Sequence, residues 1–128
     1  MDEMLKREYV NKYLFDILTA ILEIETFLSG RRRLFRDFCD DIMLHRAIER
    51  NIEIIGEAAG RILKLDAGTP LTDARKALDA RNFVAHGYDR IDDEILWSIV
   101  INDLPQLKEA VLTLLPPPEA EGDSVGTL

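Results

Sequence analysis

One cysteine, Cys39, stands in a chain of 128 residues. A lone cysteine excludes an internal disulfide and any four-cysteine zinc site. Histidine is almost as scarce: His45 and His86 are the only two, and they are among the few side chains able to exchange protons near neutrality. Basic charge is also short, with 16 Lys and Arg against 24 Asp and Glu, a net charge of −8. Broad electrostatic attraction to nucleic acid needs a basic footprint, so any such contact must use a local cluster. Two exist: Arg31-Arg32-Arg33 with Arg36, and Arg75, Lys76, Arg81 and Arg90. The acidic remainder suits a basic protein partner. Asp16 and Glu23 interrupt the longest apolar stretch of the first helix, so no segment reads as a membrane span. With no charged-then-apolar leader, the chain is expected to be cytoplasmic, with no membrane contact.

What is present is helical periodicity. Apolar residues make up 47% of the chain and charged residues 31%, the balance of a folded domain rather than a disordered one. Tyr9, Tyr13, Ile17, Ile21, Ile24 and Leu28 recur at three- and four-residue steps and predict a first helix over about residues 4–28, ended by Ser29-Gly30. On this stripe Tyr9 and Tyr13 should be largely buried. Phe38, Ile42, Ile48, Ile52, Ile55, Ala59 and Ile62 predict a second helix over about 38–65. Thr72 or Asp73 can cap a shorter third, and Asp92 a fourth that runs to Leu115. Pro105 cannot bond to Ile101, which predicts a kink near Asn102 or a restart capped by Asp103. Strand alternation and internal repeats are missing. The expected fold is an all-α, up-and-down four-helix bundle over residues 1–115, with a Pro-rich acidic tail, 116–128, that is disordered.

Chemistry concentrates in Arg81-Asn82-Phe83-Val84-Ala85-His86-Gly87-Tyr88. Arg81 offers a fork of donors suited to phosphate oxygens, and Gly87 is a helix stop. Asn82 and His86, four apart, share a helix face, so Asn82 can fix the imidazole's tautomer or bond a phosphate. Arg81 and His86 are five apart and converge only if the last turn unwinds or the arginine reaches across. His45, one turn from Asp41 and Glu49, superficially resembles a metal half-site but lacks a third ligand and reads as a surface histidine. Glu53 and Glu57 read as solvated or arginine-paired. Gly56, Ala59 and Gly60 form a small-residue face for close helix packing, or for contact near a dimer seam or active cleft. With no carboxylate–histidine cluster at ligand spacing, no metal or other cofactor is expected.

The Arg-x4-His-x-Tyr pattern resembles the signature of HEPN-domain ribonucleases, specifically the HepT-like toxins. Ala47 to Ala59, with its Ile-Gly-Glu-Ala core, is similar to that family's second-helix signature. Trp97 and Asp103-Leu104-Pro105 match its downstream aromatic and Asp-Leu-Pro break. The resemblance implies a HEPN-type bundle acting as a homodimer, whose two Arg-His motifs meet in one cleft. It implies metal-independent cleavage of RNA, with Arg81, Asn82 and His86 as the catalytic residues. It further implies a toxin–antitoxin pair in which a minimal nucleotidyltransferase transfers AMP to Tyr88 and silences the ribonuclease. The alternatives are a non-catalytic HEPN module that binds nucleotide, RNA or the nucleotidyltransferase, and a purely structural helical dimer.

Overall fold

The computed structural model describes residues 1–85 and 92–117. Helix α1 spans Glu3–Leu28, started by the Asp2 carboxylate, which accepts from the Met4 amide. It ends at Ser29, and Gly30 turns the chain with φ +75°, a left-handed conformation that glycine adopts at little cost. Helix α2 is a short Phe35–Asp40 segment, and α3 runs Ile42–Leu65. A 3-10 turn, Thr72–Ala74, leads into α4, Arg75–Ala85. The last stretch is α5, Asp93–Ser98, then a π-turn, Ile99–Asp103, then α6, Leu104–Leu114. Among the described residues there is no strand, and no helix is long and apolar enough to cross a membrane. The all-α architecture matches the sequence expectation.

Several details depart from it. The second helix is broken at Asp41, which closes α2 and caps α3 by accepting from the Leu44 amide at 3.0 Å. Arg31 bonds the other oxygen of that carboxylate at 2.7 Å. The two amide and guanidinium contacts hold the Asp41 carboxyl below its usual range. Six residues before Ile48, Ile42 stands about 120° off the buried face of α3 and is 70% exposed, while Leu44, four before Ile48, lies in the core. The 3-10 turn before α4 begins without a side-chain cap, so neither Thr72 nor Asp73 acts as predicted. Asp92 does cap α5, accepting from the Glu94 amide at 2.7 Å. The irregularity expected around Pro105 is present, but as a wide turn closed by the Leu104 amide on the Ile99 carbonyl. Asp103 makes no capping bond.

The core gathers Leu14, Ile17, Ile21 and Ile24 of α1 against Ile48, Ile52, Ile55 and Ile62 of α3, closed by Leu96, Ile99, Leu107 and Val111. Each such side chain contributes about 1.5–3 kcal/mol by leaving water, and truncating one, as in Ile52→Ala, costs about 2–5 kcal/mol. Polar bonds fix the helices' relative positions. Buried Asn51 donates to the Ala20 carbonyl at 3.1 Å and to Glu23 at 3.0 Å. Lys108 of α6 reaches both oxygens of Glu25 on α1 at 3.1 Å.

Tyr9 and Tyr13 are not buried as the stripe implied: Tyr9 is 42% exposed and Tyr13 half-buried. The large buried side chains on α1 are Val10, Leu14, Ile17, Ile21, Ile24 and Leu28, with Ala20 beside them, and the large ones alternate steps of four and three. Two consecutive four-residue steps, from Ile17 back to Tyr13 and Tyr9, drift roughly 80° around the helix.

Candidate active-site cleft

Helix α4 is built to lie close to α3. Ala74, Ala77 and Ala80 present only methyl groups toward the bundle and are buried. Opposite them, α3 offers Gly56 and Gly60. A Cβ placed on Gly56 would stand 2.3 Å from the Ala77 carbonyl oxygen and 2.8 Å from the Arg81 Cβ, while one on Gly60 would meet only the Leu78 Cδ1, at 3.2 Å. Because Leu78 faces Gly60 and Arg81 faces Gly56, the two helices run antiparallel. The small-residue face therefore serves packing within the bundle, and it seats the helix that carries Arg81.

Arg81 and Asn82 stand on the wall of one open cleft of about 730 Å³ between α1, α3 and α4. The Arg81 guanidinium makes no hydrogen bond or ion pair with the described residues; its charge acts at longer range on Glu53. Burial, then repulsion from Glu49, push the Glu53 carboxyl upward, and Arg50 and Arg81 only partly offset this. Glu49 adds a buried, unbonded Oε2 on the same helix. Glu57 is bound to Arg61 at 3.1 Å, as the arginine-paired reading expected. His86, Gly87, Tyr88 and Arg90 lie outside the described residues. Of the predicted catalytic set, Arg81 and Asn82 are together in this cleft.

Residues that the sequence did not assign to a site complete its walls: Tyr9 and Tyr13 from α1, expected in the core, and Arg61 and Lys64 from α3. Lys12 Nζ lies 4.9 Å and the Arg61 guanidinium carbon 5.8 Å from the centroid of the Tyr13 ring. The Tyr13 hydroxyl and the Glu57 carboxylate both favour the charged guanidinium of Arg61 and raise its pKa. The available signal was the three-residue step from Arg61 to Lys64 on α3, with Arg61 next to Gly60 and Lys64 one turn beyond it.

A second groove of about 750 Å³ lies at the α2 corner beside Arg31 and Arg32. Those arginines are already engaged, Arg31 with Asp41 at 2.7 Å and Arg32 with Asp37 at 3.2 Å, so the volume there carries less free charge than the Arg81 cleft. In the other predicted basic cluster, Arg75 pairs with Asp79 at 3.3 Å, and Lys76 approaches Asp103 at 3.6 Å.

His45 is not a surface histidine. Its side chain is 12% exposed and its Nε2 lies 2.6 Å from Asp93 Oδ1. The ring stacks on Phe38, which stacks in turn on Trp97, at centroid distances of 4.9 and 5.2 Å. Burial and the neighbouring Asp93 carboxylate push the Cys39 thiol upward. Among the described residues no group of three His, Cys, Asp or Glu side chains could hold a metal ion.

The family model described as ribonuclease HepT-like matches residues 17–114. The chain belongs to the HepT-like ribonuclease family. A candidate RNase of Methanocaldococcus jannaschii is 33% identical over 110 residues, covering 84% of this chain and 97% of that protein. A protein of Thermococcus cleftensis assigned as ribonuclease HepT is 37% identical over 97 residues, covering 75% and 86%. A candidate RNase of Caldanaerobacter subterraneus is 30% identical over 101 residues, covering 77% and 90%. No solved structure gives a significant match. The HepT-like match takes in the α3 and α4 walls of the cleft, whereas Tyr9 and Tyr13 precede it.

Proposed function

We propose that this HepT-like protein is a metal-independent endoribonuclease that works as a homodimer, with Arg81, Asn82 and His86 as its catalytic residues. The observation that carries the reading is that Arg81 and Asn82 stand together on an open cleft wall, the guanidinium unpaired among the described residues, in a chain of a ribonuclease family. Cleavage requires a base to remove the 2′-hydroxyl proton as that oxygen attacks phosphorus, and an acid to protonate the departing 5′-oxygen. Positive charge must meet the crowded transition state. One His86 supplies one proton transfer; two motifs in a shared cleft supply base, acid and two guanidinium groups. Asn82 sets the imidazole's orientation or bonds the phosphate.

In this reading the protein is the cytoplasmic toxin of a toxin–antitoxin pair, and a minimal nucleotidyltransferase antitoxin silences it by moving AMP to Tyr88. Added phosphate two residues from His86 obstructs the cleft and places anionic charge near Arg81. The decisive test is RNA cleavage by His86→Ala and Arg81→Ala, each expected to lose about 10²–10⁴-fold in rate with helix content unchanged, while wild-type cleavage persists in EDTA. Wild-type-like cleavage by His86→Ala, or full loss on chelation, overturns the mechanism. Sedimentation of a monomer at micromolar concentration overturns the shared cleft.

A further inference from the structure

The cleft beside Arg81 is asymmetric in composition: one wall carries the motif, the other carries aromatic rings and cations that the motif does not include. Tyr9 is turned off the buried face of α1 and is 42% exposed, beside buried Val10. Lys64 is exposed and has no hydrogen bond or ion pair with the described residues. Arg61 is held charged beside Tyr13. Arg61 is shared with Glu57 at 3.1 Å, which leaves Lys64 as the cation of this wall open to a polyanion in a chain of net charge −8. Rings that take a base face together with cations that follow the backbone are the two ingredients of single-strand recognition.

We propose that the Tyr9–Lys64 side of this cleft is a subsite for single-stranded RNA, binding the nucleotides adjacent to the phosphate held at Arg81. This rests on the ribonuclease reading for its orientation, since Arg81 then marks the scissile phosphate. Tyr9 stacks on an unpaired base, Lys64 neutralises the next phosphate, and Arg61 adds to it by exchanging its Glu57 partner. A volume of about 730 Å³ falls within the range of small-molecule sites, about 300–1,000 Å³. It suits one or two splayed nucleotides, whereas a duplex keeps its bases stacked inside and offers no free face to a tyrosine. The substrate class is therefore a loop or single strand. The subsite acts on binding, separately from the proton transfers.

The probe is a fluorescently labelled 2′-O-methyl oligouridine, which lacks the attacking hydroxyl and cannot be cleaved, read by anisotropy against the full-length protein. Tyr9→Ala is expected to weaken binding by about 5- to 150-fold, the range for loss of one base–aromatic stack, and Tyr9→Phe to stay close to wild type. Lys64→Ala should lower the dependence of log affinity on log salt by about 0.7. An RNA duplex should compete poorly. On cleavable RNA, Tyr9→Ala should raise KM far more than it lowers kcat. Tyr9→Ala and Lys64→Ala binding like wild type, equal competition by duplex, or no binding of the probe by wild type would each overturn the subsite. Cleavage of RNA by wild type with unaltered binding in both variants sinks the subsite and leaves the ribonuclease reading standing. The predicted binding pattern without any cleavage does the reverse.

Discussion

The Arg81 Cβ sits where a side chain on Gly56 would have to go, with 2.8 Å between it and an ideal Cβ built on the glycine. The motif arginine thus depends on a hydrogen atom on a neighbouring helix. Gly56→Ala must push α4 away, because the nearest obstacle, the Ala77 carbonyl oxygen at 2.3 Å, is backbone and cannot swing aside. Overpacking of this kind costs about 1–3 kcal/mol. We expect a lower urea midpoint and reduced RNA cleavage together. Gly60→Ala meets only the end of Leu78 and gains about 1 kcal/mol of helix propensity, so its midpoint should hold or rise. Equal behaviour of the two variants would contradict this account of the α3–α4 contact.

Glu53 sets a pH dependence whose sign can be worked out. Its folded-state pKa is raised, chiefly by burial and then by Glu49. A raised carboxyl favours folding while it is protonated, so its contribution is present below the unfolded value and is lost as pH rises through the folded one. At neutral pH the charged group opposes folding. Glu53→Gln should therefore raise Tm at pH 7, and the gain should vanish as the pH falls below the ordinary carboxylate range. A gain that grows in acid would reverse the assignment.

His45 and Asp93 hold the start of α5 to α3, and both should matter to stability. His45→Ala removes the 2.6 Å contact and the stack on Phe38, with an expected loss of about 1–3 kcal/mol in urea denaturation. Asp93→Asn should also bring the Cys39 thiol down, since the carboxylate is one of the causes that raise it. Iodoacetamide should then label Cys39 faster at pH 8 than in wild type. An unchanged rate would mean that burial alone protects the thiol.

The proposed control by AMP transfer takes Tyr88 as acceptor, and burial does not exclude the other two tyrosines, since Tyr9 is exposed and Tyr13 half-buried. The chemistry is attack of a tyrosine oxygen on the α-phosphorus of ATP with release of pyrophosphate. With a minimal nucleotidyltransferase and ATP, wild type should gain the mass of AMP and lose ribonuclease activity, whereas Tyr88→Phe should stay active and unmodified. Tyr9→Phe and Tyr13→Phe should be modified like wild type. Modification of Tyr88→Phe would move the acceptor elsewhere.

The helices were legible because their signals are local. Ser29-Gly30 and Asp92 act through backbone bonds within a turn of themselves, and Ile17 to Leu28 repeat at helical spacing. What was missed depends on partners distant in sequence. His45 reads as a surface residue until Asp93, 48 residues on, comes within reach. Ile42 continues the four-residue step from Phe38, but the break at Asp41 ends that register, and the six-residue step on to Ile48 turns Ile42 about 120° off the face of α3. Arg81 and Asn82 stood out as chemistry, but the aromatic wall facing them comes from α1, and no spacing within one helix announces it.

The π-turn at Ile99–Asp103 has a further consequence for Leu96, Val100 and Leu104, which are separated by two successive four-residue steps. On α1 the same spacing carries Tyr9 out of the core. Here all three remain buried, because a wider turn advances less per residue and cancels the drift. Removing one residue at this point returns the wide turn to an ordinary α turn while the faces on either side keep their orientation. Pro105, with no N–H to give to Ile101, favours the wide form. A chain shortened by one residue between Ile99 and Asp103 should therefore keep both flanking faces buried, whereas the same deletion inside α1 or α3 rotates half the helix by about 100°.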